Sequence, residues 1–241
     1  MKIGFFTDIH ANLPALEKCI EHFQAAGCDR IIHLGDLIGI GSQPKECMEL
    51  ALSIPNMEFI MGNHDYWYGF GLPNPIPTNM STDEVAHQNW THAQIGSDYI
   101  AIVKKWDWIS TIHLSKNLSV ACMHYGLNEK GNWFKPHIKF PDKKALDDLF
   151  HGVKADLIIY GHNHLASDKS GRSRYINLGS AGCYRRAEAR VATLEMEEDG
   201  YQLTQASLPY DDRTFLEAFE SRKVPAREFI LKNFITRIYG K

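Results

Sequence analysis

Aspartate, asparagine and histidine side chains recur in short motifs that directly follow apolar stretches of this chain. The motifs, in order, are Asp8-Ile9-His10, Gly35-Asp36, Gly62-Asn63-His64-Asp65, His124 and Gly161-His162-Asn163-His164. Carboxylates and imidazoles are the usual protein ligands of borderline divalent metals. Each motif alone fits a turn beside a surface histidine. All five, each at the end of an apolar stretch, are improbable by chance, so the pattern predicts a metal site.

The motifs stand where the predicted secondary structure places the carboxyl ends of strands. Apolar stretches and amphipathic helices alternate as β-α-β-α-β over the first sixty residues. The predicted elements are a strand over 2–7, a helix from the Asn12 cap to Gly27, a strand over 30–34, a helix over 44–52 and a strand over 58–61. In a layered α/β domain, ligands bind just beyond the carboxyl ends of the strands.

The second half of the chain is richer in hairpins. Predicted strands are Thr111–Leu114, Leu118–His124, Leu157–Tyr160, Arg174–Asn177, Val191–Met196 and Tyr201–Leu208, with turns at Lys116-Asn117, Ser170-Gly171 and Asp199-Gly200. Predicted helices begin at the Ser81-Thr82-Asp83-Glu84 capping box and cover about 97–106, 141–150 and 212–239, the last broken at Pro225. An irregular loop is predicted from Tyr66 to Asn79, where glycine, proline and aromatic residues are concentrated.

The composition is that of an ordinary globular protein. Of 241 residues, 44% are hydrophobic and 23% are charged, and the formal net charge is −3. These values exclude a disordered chain. The lack of a basic surplus argues against strong nucleic-acid binding. No apolar run approaches the roughly 20 residues of a membrane span, and the N-terminal one is too short for a signal peptide.

Cysteine usage and chain length bound the compartment and the domain organisation. The five cysteines are odd in number and lack CxxC spacing, which predicts free thiols in a cytoplasmic protein. One domain over residues 1–241 is the economical interpretation. The C-terminal helices, about 212–241, are expected to pack on that domain or to serve association, so the protein is expected to be a monomer or a homodimer.

The order of the motifs resembles that of the calcineurin-like metallophosphoesterase superfamily: DxH, GD, GNHD, H and GHxH. The stretches DIHANLPAL, GDLIGIGSQPKE and NLGSAG (residues 8–16, 35–46 and 177–182) look like the small single-domain bacterial branch, often described as phosphodiesterases. The likeness extends from Met1 to about Leu208. Protein Ser/Thr phosphatases carry GDxVDRG and GNHE instead, whereas this chain has Leu37 after its GD and Asp65 in place of the glutamate. A further departure is Tyr125 after His124, where relatives often have glycine.

The resemblance implies a four-layer α/β/β/α sandwich with two mixed β-sheets, flanking helices and a binuclear metal centre. One metal would be held by Asp8, His10, Asp36 and His164, and the other by Asp36, Asn63, His124 and His162. A bridging carboxylate from Asp36 would offset the repulsion of the two cations, while neutral imidazoles add no charge. Two divalent ions are therefore expected, manganese first, with iron, zinc, nickel or cobalt as alternatives.

The implied reaction is hydrolysis of a phosphodiester or nucleotide-like substrate by direct attack of a metal-bridging hydroxide. His64, which lies outside the ligand pattern, would contact the phosphate and protonate the leaving alkoxide. Asp65 is a second catalytic candidate that would orient His64. Its residue type and position fit a cap or turn role equally well.

Three residues are candidates for contact with a small phosphate-ester substrate. Asn12 resembles a family position near the substrate, although its helix-cap role already accounts for it. Tyr66 opens a run of aromatic residues after His64 that could stack on a leaving group. Arg185 follows the NLGSAG stretch and could contact phosphate, its alternative being a solvated surface residue. The seven remaining histidines are predicted to be core or surface residues; they are His22, His33, His87, His92, His113, His137 and His151.

Three other functions fit the same motifs. A phosphomonoesterase and a dinucleoside-polyphosphate hydrolase would use the same metal ligands. A non-catalytic scaffold on the same fold would be expected to have lost ligands or the catalytic histidine. Every expected position is filled here, which favours an enzyme.

Overall fold

The computed structural model describes residues 1–78, 80–116, 118–198 and 200–235. Its strands are β1 Lys2–Phe6, β2 Arg30–His33, β3 Met57–Phe59, β4 Ile109–Ser115, β5 Leu118–Met123, β6 Leu157–Tyr160, β7 Ser167–Ser170, β8 Arg174–Asn177, β9 Glu188–Glu197 and β10 Gly200–Pro209. Its helices are α1 Leu13–Ala25, α2 Pro44–Leu52, α3 Asn63–Phe70, α4 Thr82–Ile95, α5 Ile100–Val103, α6 Lys143–Leu149, α7 Arg213–Ser221 and α8 Arg227–Ile230, followed by a π-helical stretch over Leu231–Ile235.

The strands form two mixed five-stranded sheets. The first has the order β10-β9-β1-β2-β3, in which β1, β2 and β3 are parallel and β9 runs antiparallel to β1. The second has the order β4-β5-β6-β8-β7, in which β5, β6 and β8 are parallel and the edge strands β4 and β7 are antiparallel. The predicted mixture of a parallel first half and a hairpin-rich second half is therefore confirmed.

The two sheets pack face to face and carry helices on their outer faces. Apolar side chains such as Ile3 and Phe5 of β1 lie between the sheets against Val120 of β5 and Ile159 of β6. Helices α1 and α2 cover the outer face of the first sheet, and α6 covers that of the second. The four-layer α/β/β/α arrangement is thus confirmed. Burial of these apolar faces is what holds the layers together.

Several predicted elements need correction. The stretch predicted as an irregular loop begins inside a helix, because α3 continues to Phe70 and its aromatic side chains pack against neighbouring elements. The helix predicted over about 97–106 is confined to α5. Strand β7 was not predicted, because its alternating polar residues lie on a sheet edge with little apolar signal. Asn79, Asn117, Asp199 and the tail beyond Ile235 lie outside the described residues.

The chain after β10 packs, through α7, against α2 and the segment that precedes it. Phe215 and Phe219 of α7 are fully buried in a cluster that includes Ile40, which lies just after the GD motif. The Ser42 hydroxyl donates to the Phe215 carbonyl at 2.8 Å, and the Arg222 guanidinium binds the Glu46 carboxylate. We call residues 226–235 the C-terminal arm. Because α7 is packed in this way, the arm that follows it lies at the end of the sheet where the polar motifs are.

Two further expectations concern the described part of the chain. All five cysteines carry free thiols, as predicted. Among the residues that the structure describes, no helix combines the length and apolar character needed to cross a bilayer.

Candidate metal centre

The polar motifs converge at the carboxyl ends of strands from both sheets. Asp8 follows β1, Asp36 follows β2 and Asn63 follows β3, while His124 and His162 follow β5 and β6 of the second sheet. Both sheets end at the same face of the sandwich, so residues that are 154 positions apart come into contact. This convergence is the arrangement that the spacing of the motifs predicted.

The backbone at these motifs is held in an unusual conformation. Five residues of the predicted ligand set have left-handed φ angles between 48° and 67°; they are Asp8, His10, Asp36, His162 and His164. Left-handed backbone is unfavourable for residues with a Cβ and persists only where the surrounding contacts impose it. The strained backbone is therefore concentrated at residues whose side chains meet at the centre.

Asp65 supplies one of the contacts that impose this backbone. Its carboxylate accepts hydrogen bonds from the amides of Asp36 at 2.7 Å, Leu37 at 3.1 Å and Gly62 at 3.2 Å. The two loops are so close here that a Cβ on Gly62 would lie 2.2 Å from the Asp36 nitrogen. These contacts favour the turn role of Asp65 over an orientation of His64, because the carboxylate binds backbone and ties the β2 loop to the start of α3.

The first group of side chains surrounds Asp8. The Nε2 atoms of His164 and His10 lie 3.4 Å and 3.6 Å from Asp8 Oδ1 and 2.9 Å from each other. The other carboxylate oxygen, Oδ2, accepts from the Thr7 hydroxyl at 2.8 Å and the His162 amide at 3.0 Å. Asp8 Oδ1 is buried and accepts no hydrogen bond from any described residue. A cation between these three atoms would satisfy it.

The second group surrounds Asp36. Its Oδ2 atom lies 3.3 Å from His124 Nε2, which is 3.2 Å from His162 Nδ1. The terminal amide of Asn63 approaches both Asp36 Oδ2, at 3.3 Å, and His162 Nδ1, at 3.1 Å. With its oxygen on that side, Asn63 adds another acceptor to a set of acceptors. Such a set is stable when a cation lies between the acceptors, because without one they repel each other.

The two groups adjoin each other through Asp36. Asp36 Oδ2 also lies 3.8 Å from His10 Nε2 of the first group. A third combination of His10, Asp36 and His64 also brings its candidate ligand atoms within 4.8 Å of one another. The carboxylate of Asp36 is therefore placed between two candidate cation positions, and the donor set of carboxylate, amide and imidazole fits two divalent metals.

The charges in the centre suit a cation as well. Burial raises the pKa of the Asp8 and Asp36 carboxyls, but the imidazoles of His164 and His124 respectively head the opposing contributions, and the net pKa of both lies below the ordinary value. Burial lowers the pKa of His124, yet Asp36, Asp8 and the Leu34 carbonyl together outweigh it and raise that pKa to about 9. Among the described residues, the ion-pair partners of these two buried carboxylates are imidazoles.

A second layer of contacts fixes the ligand side chains. His124 Nδ1 lies 2.9 Å from the Leu34 carbonyl, which directs Nε2 toward Asp36. The NLGSAG stretch supports the Asp8 loop, since the Ser180 hydroxyl donates to the Asp8 carbonyl at 2.7 Å and Asn177 donates to the Gly161 carbonyl at 2.7 Å. The stretch that resembled the family thus acts on the ligand loops rather than in the cavity.

His64 stands beside the two groups on the first turn of α3. Its backbone amide donates to Asp36 Oδ1 at 2.9 Å, and its Nδ1 lies 2.7 Å from Gln88 Nε2 on α4. The ring packs against Gly39, where a Cβ would approach Nδ1 to 2.3 Å. Burial lowers the pKa of the imidazole to about 3, and the opposing effect of Asp36 is smaller. The Nδ1 contact leaves Nε2 as the ring atom available for a substrate.

The metal groups form the floor of a cavity of about 670 Å³. One wall consists of α4, with Ser81, Asp83, Glu84, His87 and Gln88, and another consists of the C-terminal arm, with Ala226, Phe229, Ile230 and Phe234. His87 and His137 line the cavity, contrary to the prediction that they are plain surface residues. His33 is fully buried beside Phe6, as a core histidine.

The three predicted substrate contacts lie outside the described cavity lining. Asn12 is buried as the α1 cap, and its amide donates to the Gly182 carbonyl and the Tyr210 hydroxyl. Tyr66 stacks on Phe70 at 4.6 Å between ring centroids and packs against two tryptophans. Arg185 is exposed. The aromatic side chains that do face the cavity come from the arm, which is distant in sequence from His64.

A sequence model of the calcineurin-like phosphoesterase superfamily domain matches residues 1–199. The chain belongs to this superfamily. The residues that the resemblance implied as metal ligands lie together at the strand ends of this fold. The β10 strand, α7 and the C-terminal arm extend beyond the matched region.

Known proteins of similar length resemble this chain in sequence or in fold. An uncharacterised protein of Methanocaldococcus jannaschii is 25% identical over a 239-residue alignment that covers 92% of this chain and 93% of that protein. A hypothetical protein of Pyrococcus horikoshii has a TM-score of 0.79 at 17% identity, with 100% of this chain and 99% of that chain covered. A metallophosphoesterase of Sphaerobacter thermophilus has a TM-score of 0.70 at 22% identity, with 96% and 97% covered.

Gln88 was not found by sequence reasoning, and we predict that it positions His64. Its side chain is 1% exposed, its nitrogen contacts His64 Nδ1 at 2.7 Å, and its oxygen has no partner among the described residues. A rotated amide would offer that oxygen to a protonated Nδ1, so Gln88 can partner either state of the imidazole. Gln88→Leu should lower kcat for a phosphodiester about tenfold, with KM and metal content unchanged.

The matched control for this substitution is Gln94→Leu, an exposed position on the same helix. Steady-state kinetics and metal analysis of the two variants check the prediction. A parallel loss of bound metal, or an equal fall of kcat in Gln94→Leu, would show that the effect does not pass through His64.

Proposed function

We propose that this calcineurin-like phosphoesterase is a binuclear metal-dependent phosphodiesterase. The observation that carries the proposal is the position of Asp36 between two groups of ligand-type side chains at the floor of a cavity. One metal would be held by Asp8, His10, Asp36 and His164, and the other by Asp36, Asn63, His124 and His162. When bound, such a pair of ions activates water and offsets charge on the phosphoryl oxygens.

The remaining steps fall to side chains of this chain. A phosphodiester enters with its phosphoryl group toward the floor and its organic groups toward α4 and the arm. His64 Nε2 contacts a phosphoryl oxygen. The negative charge of the bound ester favours the protonated imidazole, which delivers its proton to the departing alkoxide. Gln88 and Gly39 hold the imidazole in one orientation, so that little reorganisation is required during the reaction. Asp65 keeps the loops that carry Asp36 and His64 at a fixed separation.

The walls of the cavity favour a diester over more highly charged substrates. Among the described residues that line it, none is lysine or arginine. A monoester dianion or a polyphosphate chain carries charge that such side chains usually neutralise. A diester has a single negative charge, which two divalent ions offset without further help. The filled ligand positions likewise support an enzyme rather than a scaffold.

The test is hydrolysis by the metal-loaded protein of two chromogenic esters that share a leaving group. After removal of metals and reloading with Mn²⁺, we expect kcat/KM for bis(p-nitrophenyl) phosphate to exceed that for p-nitrophenyl phosphate at least tenfold. EDTA should abolish both activities. Reloading with Fe, Zn, Ni or Co in place of Mn²⁺ then ranks the metals by the activity that each restores. Preference for the monoester would make the protein a phosphomonoesterase. Bound metal without hydrolysis of either ester would favour the scaffold.

A further inference from the structure

The wall of the cavity that faces the metal groups is apolar and aromatic. It is formed by Phe229, Ile230 and Phe234 of the C-terminal arm. Phe229 is 60% exposed, a large fraction for a phenylalanine, and the ring of Phe234 lies 6.3 Å from that of the predicted ligand His164. Apolar side chains exposed inside a catalytic cavity usually contact the organic part of a ligand.

The arm is held in place by contacts on both sides of the cavity. His87 of α4 lies with Nδ1 3.3 Å from the Pro225 carbonyl, immediately before the arm. Ala226 and Lys223 adopt left-handed φ angles of 59° and 51°, which turn the chain from α7 toward the metal groups. Ile230 and Ile235 are buried in the cluster that also holds Phe215 and Phe219. The aromatic wall is therefore held in place by contacts within this chain.

Another part of the cavity lining carries acidic groups. Asp83 and Glu84 lie in the first turn of α4, and both line the cavity together with Ser81. The described lining holds no lysine or arginine that would compensate them. Negative charge at this side repels a second anionic group on the ligand, whereas neutral and cationic groups are accepted.

We propose that Phe229 and Phe234, together with Asp83 and Glu84, select the organic group of the substrate. The selected group has an apolar body and carries no negative charge beyond that of the reacting phosphodiester. This inference deepens the proposed function and rests on it. The aromatic rings contribute contact area with the apolar body, and the carboxylates exclude esters that bear additional phosphates.

The charge part is tested with a matched pair of esters on the Mn²⁺-loaded protein. The pair is the p-nitrophenyl ester of thymidine 5′-phosphate and the same compound with an added 3′-phosphate. We expect kcat/KM to fall at least tenfold on addition of the phosphate and the ratio to shrink about threefold or more in the Asp83→Asn, Glu84→Gln double variant. Equal rates on the two esters in the wild-type protein would overturn the charge part.

The aromatic part is tested by binding, without turnover. Calorimetric titration with benzylphosphonate and methylphosphonate measures what the ring of the ligand adds. We expect the benzyl compound to bind about 3- to 10-fold tighter, and this advantage to disappear in Phe229→Ala and Phe234→Ala but to persist in Phe140→Ala. Phe140 is 74% exposed and lies outside the described lining.

The outcomes distinguish a failure of the selecting wall from a failure of the proposed phosphodiesterase reaction. If the variants retain hydrolysis of bis(p-nitrophenyl) phosphate but keep the full benzyl advantage, the selecting wall is refuted and the phosphodiesterase proposal stands. If the loaded wild-type protein hydrolyses no ester yet binds benzylphosphonate more tightly, the proposed reaction is refuted and the aromatic site stands. Thermal unfolding of each variant against wild type confirms that the arm remains docked.

Discussion

Replacement of His64 by alanine is expected to lower kcat for a phosphodiester with an alkoxide leaving group, such as a dinucleotide, by about 10²- to 10⁴-fold, while the metal content stays unchanged. His64 lies beside the metal groups, its Nδ1 is engaged by Gln88, and its Nε2 is the ring atom left for the leaving oxygen. Loss of a positioned acid slows departure of the alkoxide without removing a metal ligand. The fall should be smaller for bis(p-nitrophenyl) phosphate, because its p-nitrophenolate leaving group needs no proton.

Two measurements make this prediction specific. Metal analysis distinguishes an acid from a ligand, because His64 also lies within reach of the group that contains His10 and Asp36. Imidazole added to His64→Ala should restore part of the rate, since the cavity of about 670 Å³ has room for it. His113→Ala, at an exposed position on β4, is the control. Unchanged turnover, or lost metal, in His64→Ala would remove the assigned role.

Replacement of Asp36 by asparagine is expected to have the other largest effect. Asp36 is 2% exposed and approaches His124 and His10 with the same carboxylate oxygen. The substitution keeps the size of the side chain but removes the negative charge that would offset two cations. We expect Mn²⁺ affinity to fall about 100-fold or more at one or both sites, and kcat to fall by about 10³-fold with it.

Calorimetric titration of the metal-free protein with Mn²⁺ checks this second prediction. Wild type should take up two ions per chain, and Asp36→Asn at most one with comparable affinity. Asp98→Asn, an exposed aspartate in the loop before α5, should behave as wild type. Two undiminished binding events in Asp36→Asn would show that this carboxylate is not shared between the metals.

The floor of the site was predictable because its signals are local. Each motif follows directly after an apolar strand, so the position of Asp8, Asp36 or His124 depends on a short stretch of chain and on the general geometry of α/β sheets. Helices α1 and α2 were likewise predictable from Asn12 and Pro44 at their starts. The fold class followed from the same alternation of strands and helices.

The walls of the cavity could not be predicted in this way. Gln88 sits 24 residues from His64 on a helix whose apolar pattern is weak, and nothing near it in sequence marks it as a partner of an imidazole. Phe229 and Phe234 have the helical spacing of core residues, and the turns at Lys223 and Ala226 direct them toward the cavity. Their role depends on tertiary docking of the arm, which no local pattern encodes.

Two residues that are close to His64 in sequence lie apart from its imidazole in the fold. Tyr66 follows His64 closely in sequence, but the helix that His64 begins turns Tyr66 away toward Trp108 and Trp133. An aromatic run next to a catalytic motif was therefore a poor guide to the pocket. Asp65 is adjacent to His64 as well, yet its carboxylate points to backbone amides of the β2 loop. Helical geometry separates neighbours that a linear sequence places together.

The most direct test of the binuclear centre is anomalous diffraction from crystals of the Mn²⁺-loaded protein, recorded on both sides of the manganese absorption edge. We expect two manganese peaks per chain, one among Asp8, His10 and His164 and one among Asn63, His124 and His162, with Asp36 between them. A single peak, or a peak away from these side chains in protein that hydrolyses diesters, would contradict it.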